Sequence, residues 1–201
     1  MTMVDRVRNL LVQPKEEWQR IDVEPVETVD FYRSYIALLA AIGPAASVIG
    51  LSIVGMGMPF GGTIRVPLLF SISHALVGYV LSLIGIYVVA LIVDALAPRF
   101  SGQRSRAQAL KVVAYASTPG WLGGAFLLIP SLGMLTLLAG LYGAYILYLG
   151  LPLLMKAPKE KAVPYIAAVI GCAIVLHLVI GIVSSLFMGG PAGMMPMRGG
   201  W

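Results

Sequence analysis

The chain has 201 residues, 59% of them hydrophobic and only 11% charged, with a mean hydropathy of +0.90 and a formal net charge of +5. Soluble domains carry roughly 25% charged residues, so these proportions exclude a water-soluble globule and require lipid around most of the chain. The positive balance does not call for nucleic acid, because no basic face alternates with aromatic side chains as a single-strand binder needs.

Twelve of the 23 charged residues lie in the first 33 positions, including seven of the nine acids. Within this segment Val4, Val7, Leu10 and Leu11 recur at helical spacing while Asp5, Arg6, Arg8 and Asn9 take the other face. The pattern predicts a short amphipathic helix lying on the membrane surface, with Arg6 and Arg8 near anionic headgroups. Pro14 suits the first position of a second helix whose first turn carries Glu16 and Glu17, and Trp18 is expected at headgroup depth. Packing of this segment under the bundle is the first reading, and Val4 to Ile21 is also a candidate docking surface for a cytoplasmic protein partner. No 7 to 15 residue apolar run with a cleavage site stands here, so no cleaved signal peptide is expected.

Beyond residue 33 the charges form short islands separated by charge-free segments at Ser34 to Ile64, Val66 to Val93, Val112 to Met155 and Ala162 to Met197. Each exceeds the roughly 20 helical residues that cross a hydrocarbon core. Val112 to Met155 has basic islands at both ends, Arg99 to Lys111 before it and Lys156 to Lys161 after it, which requires an even number of crossings. A hairpin at Ile129-Pro130-Ser131-Leu132-Gly133 provides them. The expectation is an all-α, polytopic integral membrane protein with five transmembrane helices in one bundle, at 35–57, 68–97, 109–129, 132–155 and 162–188. Twelve of the 14 basic residues then share one side, only Arg65 and Arg198 falling on the other, which sets the N-terminus cytoplasmic and the C-terminus extracytoplasmic. The chain divides into a cytoplasmic segment (1–33), a five-helix membrane domain (34–188) and a short flexible tail (189–201).

Small and polar residues align within the spans. Ser71, His74, Gly78, Ser82 and Gly85 share one helical face, as do Ala173, His177, Gly181 and Ser184. Gly140 and Ala144 give a small-xxx-small signal beside Tyr142, Tyr145 and Tyr148. Such faces serve close helix packing in lipid, within one chain or in a homo-oligomer; the alternative is a solute pathway along them.

Ionisable residues at membrane depth are costly and therefore functional candidates. His74 and His177 enter from opposite faces and reach depths agreeing within roughly 10 Å at about 1.5 Å per residue, so they are positioned to meet, as packed side chains or as a relay. Asp94 lies near the cytoplasmic interface, within reach of water or Arg99. In the third span, Tyr115, Ser117, Thr118 and Pro119 open the run "YASTPGWLGG". A proline there frees carbonyls that neighbouring helices, Ser/Thr side chains or water must satisfy, which places this motif inside the bundle as a candidate binding element.

Catalytic signatures are lacking: there is no H-E-x-x-H, G-x-S-x-G, phosphate loop or intramembrane carboxylate pair, and the single Cys172 forms neither a disulfide nor a cysteine metal cluster. Met188, Met194, Met195 and Met197 would suit Cu(I), but a flexible end is the preferred reading. No cofactor and no resident metal is expected.

The sequence resembles a known family through Leu10, Leu11, Pro14, Trp18 and Ile21, "YI.....IGP" at Tyr35 to Pro44, "AYASTP" at Ala114 to Pro119, "IPSLG" at Ile129 to Gly133 and "LYLGLP" at Leu147 to Pro152. In order and spacing these are similar to the prokaryotic branch of the YIP (Ypt/Rab-interacting protein) domain family. That resemblance implies a cytoplasmic N-terminal segment, five membrane helices and a short extracytoplasmic end. Eukaryotic members are associated with Rab-type GTPases and carry an Asp-Leu-Tyr-Gly-Pro type motif; here the matching region is Thr28-Val29-Asp30-Phe31-Tyr32-Arg33, and a Rab partner does not carry over.

Two functions follow as expectations. One is a non-enzymatic scaffold or organiser in a prokaryotic cell membrane, acting through lipids, self-association or a partner at the N-terminal segment. The other is a small-solute, ion or lipid transporter with a path near His74 and His177, suggested by the broken third span.

Overall fold

The computed structural model describes residues 2–57 and 62–187, and the side chains only as far as residue 183. The methionine-bearing tail, Arg198 and the side chain of Ser184 lie outside the described residues.

Two short helices come first. α1 (Met3–Val12) starts at a reciprocal cap: Thr2 Oγ1 accepts from the Asp5 amide at 3.2 Å and the Asp5 carboxylate accepts from the Thr2 amide at 3.2 Å. α2 (Pro14–Val23) begins on Pro14, where the missing N–H costs nothing. α3 (Thr28–Val54) is long and apolar, with two wide turns at Tyr32–Ile36 and Gly50–Val54 and a turn at Ala41. Pro44 lacks the N–H that would reach the Ala40 carbonyl, which accounts for the break there. A two-residue antiparallel pair, β1 (Met56–Gly57) with β2 (Thr63–Ile64), leads into α4 (Leu68–Leu96), which ends in a 3-10 turn, Ala97–Phe100. α5 (Arg106–Gly123) is capped by Ser105 and continues as a 3-10 stretch, Gly124–Leu128. Pro130–Leu132 then turns the chain into α6 (Leu135–Leu154), and α7 (Lys159–Phe187) completes the bundle.

The protein is thus all-α apart from that small strand pair, and four of its helical stretches are long and apolar enough to cross a membrane: Thr28–Val54, Leu68–Phe100, Leu135–Leu154 and Lys159–Val183. The expected third span, 109–129, is not among them. Its helix is the most enclosed of all, with Ala109 to Ala116, Thr118, Pro119 and Gly123 buried. Packed against α6, α4 and α3, it meets protein where the others meet lipid, and so tolerates Gln108, Lys111, Ser117 and Thr118. Ser117 and Thr118 return their hydroxyls to the Val113 and Ala114 carbonyls at 2.8 and 3.3 Å.

Burial is concentrated at the end of the bundle that holds α1 and α2. On α4, Val89, Ala90 and Val93 are buried while Leu68, Leu69, Ile72 and Leu76 are exposed; on α7, Tyr165, Ile166 and Val169 are buried while Ile174, Val175, Leu178 and Ile182 are exposed. Apolar side chains left outward along these helices are a lipid-facing surface.

The close helix contacts follow the small-residue pattern only in part: a Cβ on Gly85 would lie 3.2 Å from Ile180 Cδ1, and one on Gly123, in the run "YASTPGWLGG", would overlap Ala139 Cβ. A Cβ on Gly140, Gly78 or Gly181 would meet nothing within 4 Å, whereas one on Gly143 would sit 2.6 Å from the Ala116 carbonyl oxygen and one on Gly124 2.7 Å from Gly43 Cα. On α6 the sequence offers two small faces one residue apart, and the one bearing Gly143 and Gly150 is used.

Candidate functional site: a buried polar cluster under the N-terminal helices

α1 and α2 are folded into the bundle instead of lying on a membrane surface. Trp18 and Ile21 on α2 and Leu10 on α1 are fully buried. The Trp18 indole N–H donates to the Ile146 carbonyl on α6 at 3.1 Å, and Gly150 one turn on leaves room for the ring. Tyr142 donates from its hydroxyl to the Leu11 carbonyl at 2.6 Å. Trp18 is therefore a core residue and not a headgroup anchor.

Arg6 is likewise turned inward, 8% exposed, and does not reach headgroups. Nη1 donates to Glu17 Oε1 at 2.5 Å and Nη2 to Glu24 Oε1 at 2.6 Å, so one guanidinium joins α1, α2 and the segment after it. Glu17, 1% exposed, also accepts from Asn9 Nδ2 and Arg20 Nη1, each at 3.3 Å. Burial alone would lower the Arg6 pKa; the hydrogen bond to Glu24 and the two carboxylate charges outweigh it and raise the value above the ordinary one. A buried charge is tolerable only when matched in this way.

From α5, Lys111 donates through Nζ to the Ile21 and Glu24 carbonyls at 2.7 and 2.8 Å, capping the end of α2. Gln108 Nε2 donates to the Asp22 carbonyl at 2.9 Å, and Lys156 pairs with the Asp22 carboxylate at 2.5 Å. Below Arg6 lies an aromatic group: the guanidinium sits 5.8 Å from the Tyr115 ring centre, and Tyr115 meets Tyr35, Phe31 and Trp18 at 4.9, 5.2 and 6.0 Å. The Tyr35 and Thr118 hydroxyls are 2.8 Å apart.

Of the residues singled out from sequence, Tyr115, Thr118 and Pro119 are buried and Ser117 half-buried, and Tyr35 ties Tyr115 to Thr118. The histidines do not join them or each other. His74 and His177 are both exposed, and His177 Nδ1 lies 2.8 Å from the Ala173 carbonyl one turn back on its own helix. α4 and α7 run antiparallel, with Tyr165 bonded to the Val93 carbonyl and the Gly85 position facing Ile180 and Leu176. His177 therefore stands level with Gly85, about 16 Å along the helix from His74. Depth counted from each helix end misplaced them, because the two helices do not start at one level. Asp94 is half-buried, its Oδ1 enclosed without a hydrogen-bond partner, and the described ion pairs do not include one to Arg99.

The joint role of Arg6, Glu17, Glu24 and Lys111 was what the sequence did not reveal, Arg6 and Glu17 having been read only for headgroup contact and the helix dipole. One signal was available: Glu17 lies four residues before Ile21 and Arg6 four before Leu10, so each charge shares a helix face with a side chain that is buried. Among the described residues no group of three or more His, Cys, Asp or Glu is placed to hold a metal ion. Apart from Gln108 Oε1, which is buried without a hydrogen-bond partner, the cluster's donors and acceptors are spent on each other and on the backbone of α2, so its chemistry is that of a fastener.

Fold and cluster together define a multi-pass helical membrane protein whose N-terminal helices are locked beneath its bundle. The chain belongs to the Yip1 domain family, whose model matches residues 8–183, and to its prokaryotic branch. It is 24% identical over 176 residues to inner membrane protein YohC of Escherichia coli (strain K12), covering 86% of this chain and 90% of the relative, and equally similar to the YohC of strain CFT073. No solved structure matches the chain significantly. The resemblance read from the sequence is confirmed, as is the cell membrane as the site of a multi-pass protein.

Proposed function

We propose that the protein is a non-enzymatic membrane scaffold with five crossings, α5 being the central one, its N-terminal helices cytoplasmic and its C-terminus on the far side. The observation that carries this reading is where the polar groups go. Arg6, Glu17, Glu24 and Lys111 are consumed in fastening α1 and α2, and both intramembrane histidines face outward and line no route between the helices. What α1 leaves exposed is a face with Val4 and Val12, each 70% exposed, flanking Asp5 and Arg8. Two valines among charges on a rigidly held helix suit a protein partner at the N-terminal segment.

Photocrosslinking from Val4 and Val12 in cells tests the partner, with a discrete protein adduct expected that is lost on Arg8→Glu. Proteoliposome flux of ions and small solutes tests the alternative. Flux that disappears in a His74→Ala/His177→Ala double variant would replace the scaffold with a transporter.

A further inference from the structure

α6 ends in a way that opens a groove beside α2. Its last turn is closed by two bonds, Ala157 N–H to the Pro152 carbonyl at 3.0 Å and Lys156 N–H to the Leu153 carbonyl at 3.4 Å, with Lys156 in the left-handed region at φ 52. That reversal carries the chain sideways into α7 before Lys159. Meanwhile Trp18, seated over Gly150, holds α2 across the outer side of α6. Between them lies a groove of about 460 Å³, floored by Trp18, Leu149, Pro152 and Leu153 and rimmed by Lys15, Gln19 and Lys159.

Three observations identify what fits it. The floor is apolar and runs on into the outward stripe of α6 at Leu141, Tyr145 and Tyr148, the surface that faces lipid. The rim is cationic at both ends, and these two lysines are unengaged: Lys156 is paired with Asp22 and Lys161 bonded to Ser101, whereas Lys15 and Lys159 have no hydrogen bond or ion pair among the described residues. The groove lies at the end of α6, where a span leaves the hydrocarbon core, and its volume falls within the range of about 300–1,000 Å³ common for small-ligand sites. We infer that this groove binds an anionic phospholipid of the leaflet on the α1–α2 side, one acyl chain lying along Leu149 and Leu153 and the headgroup phosphate between Lys15 and Lys159. The inference needs only the fold, and holds or fails independently of the scaffold reading.

The test uses the full chain, purified in mild detergent and exposed to phosphatidylglycerol or phosphatidylcholine of equal chain length, with retained lipid read by native mass spectrometry. Wild type should retain phosphatidylglycerol preferentially, and Lys15→Gln/Lys159→Gln should lose the preference by about tenfold, each lysine near a lipid surface contributing a several-fold effect. Arg104→Gln/Arg106→Gln removes the same charge from exposed positions away from the groove and should leave the preference intact. Equal retention of both lipids by wild type, or equal loss in the two double variants, would overturn the site. A photoreactive residue at Gln19 should give a lipid adduct; a protein adduct in its place would assign the groove to a different occupant and reject the inference.

Discussion

Gly150→Ala puts the docking of α2 on α6 to a direct test. The added methyl would overlap the Trp18 ring, which is buried and held by its bond to the Ile146 carbonyl, so the ring can give way only toward the groove and at the cost of that bond. Overpacking of this kind costs about 1–3 kcal/mol, and displacing the indole from its acceptor adds about 1 kcal/mol. Alanine in place of glycine inside a helix returns about 1 kcal/mol, leaving a net loss of about 2 kcal/mol. The decisive measurement is a double-mutant cycle with Trp18→Leu, in mixed-micelle unfolding followed by circular dichroism. Once the ring is gone the methyl meets no obstacle, so Gly150→Ala should become neutral or stabilising, with a coupling of about 2 kcal/mol between the sites. An equal cost in both backgrounds would refute the packing argument, since it would place the penalty of Gly150→Ala somewhere other than against Trp18.

Two further outcomes follow from the cluster above that contact, and a third from the cap of α1. Glu17→Gln leaves the buried Arg6 with Glu24 alone and should cost about 3 kcal/mol, whereas Arg20→Gln, at a side chain 58% exposed, should stay within about 1 kcal/mol; the same unfolding assay compares them. Lys111→Met strips the donor from the Ile21 and Glu24 carbonyls and should cost about 2 kcal/mol, seen as faster limited proteolysis near residues 24–27 before the bundle itself unfolds. The Asp5 carboxyl is held below its usual pKa by its bonds to Thr2, so its contribution to the α1 cap is present above the unfolded value near 3.9 and is lost as pH falls through the folded one. Thr2→Val removes the hydroxyl bond and keeps the amide one, so it should move the Asp5 titration, followed by NMR, part of the way back up.

The long apolar helices were legible because lipid selects for them by length alone: Thr28–Val54, Leu68–Phe100, Leu135–Leu154 and Lys159–Val183 are each built on a charge-free run, with their few charges near the ends. α5 was legible only through the parity of basic islands, and its low hydropathy has a cause that periodicity does not express, namely that its neighbours are protein. Face selection failed where the sequence offered two equivalent stripes. Gly140 and Gly143 are both small residues on α6, and only the position of Ala116 on a helix distant in sequence decides between them. The histidines illustrate the same limit, since helical spacing gives a residue's angle on its own helix but not the register of that helix against another.

The N-terminal segment packs under the bundle, the first of its two readings, and the surface placement it also suggested fails for a physical reason with wider consequence. Its amphipathicity is real, and a pattern of Val7, Leu10 and Leu11 opposite Asp5 and Asn9 is what an interfacial helix would show, but Arg6, four residues before Leu10, belongs to the buried face. The bundle offers the same apolar acceptor a bilayer does, and it adds what lipid lacks: fixed partners for charge. Arg6 can leave water because Glu17 and Glu24 arrive at fixed positions, and Lys111 because two carbonyls at the end of α2 converge on it. Such matched burial adds little net stability over an apolar core of equal volume, but a mismatch is costly. The cluster therefore disfavours every α1–α2 placement but one, which is the property a rigid platform for a partner or a lipid requires. Replacing Arg6, Glu17 and Glu24 together with Met, Leu and Gln separates the two roles: stability should be retained, while the exchange of α1 and α2 amides with solvent should rise as alternative dockings become available.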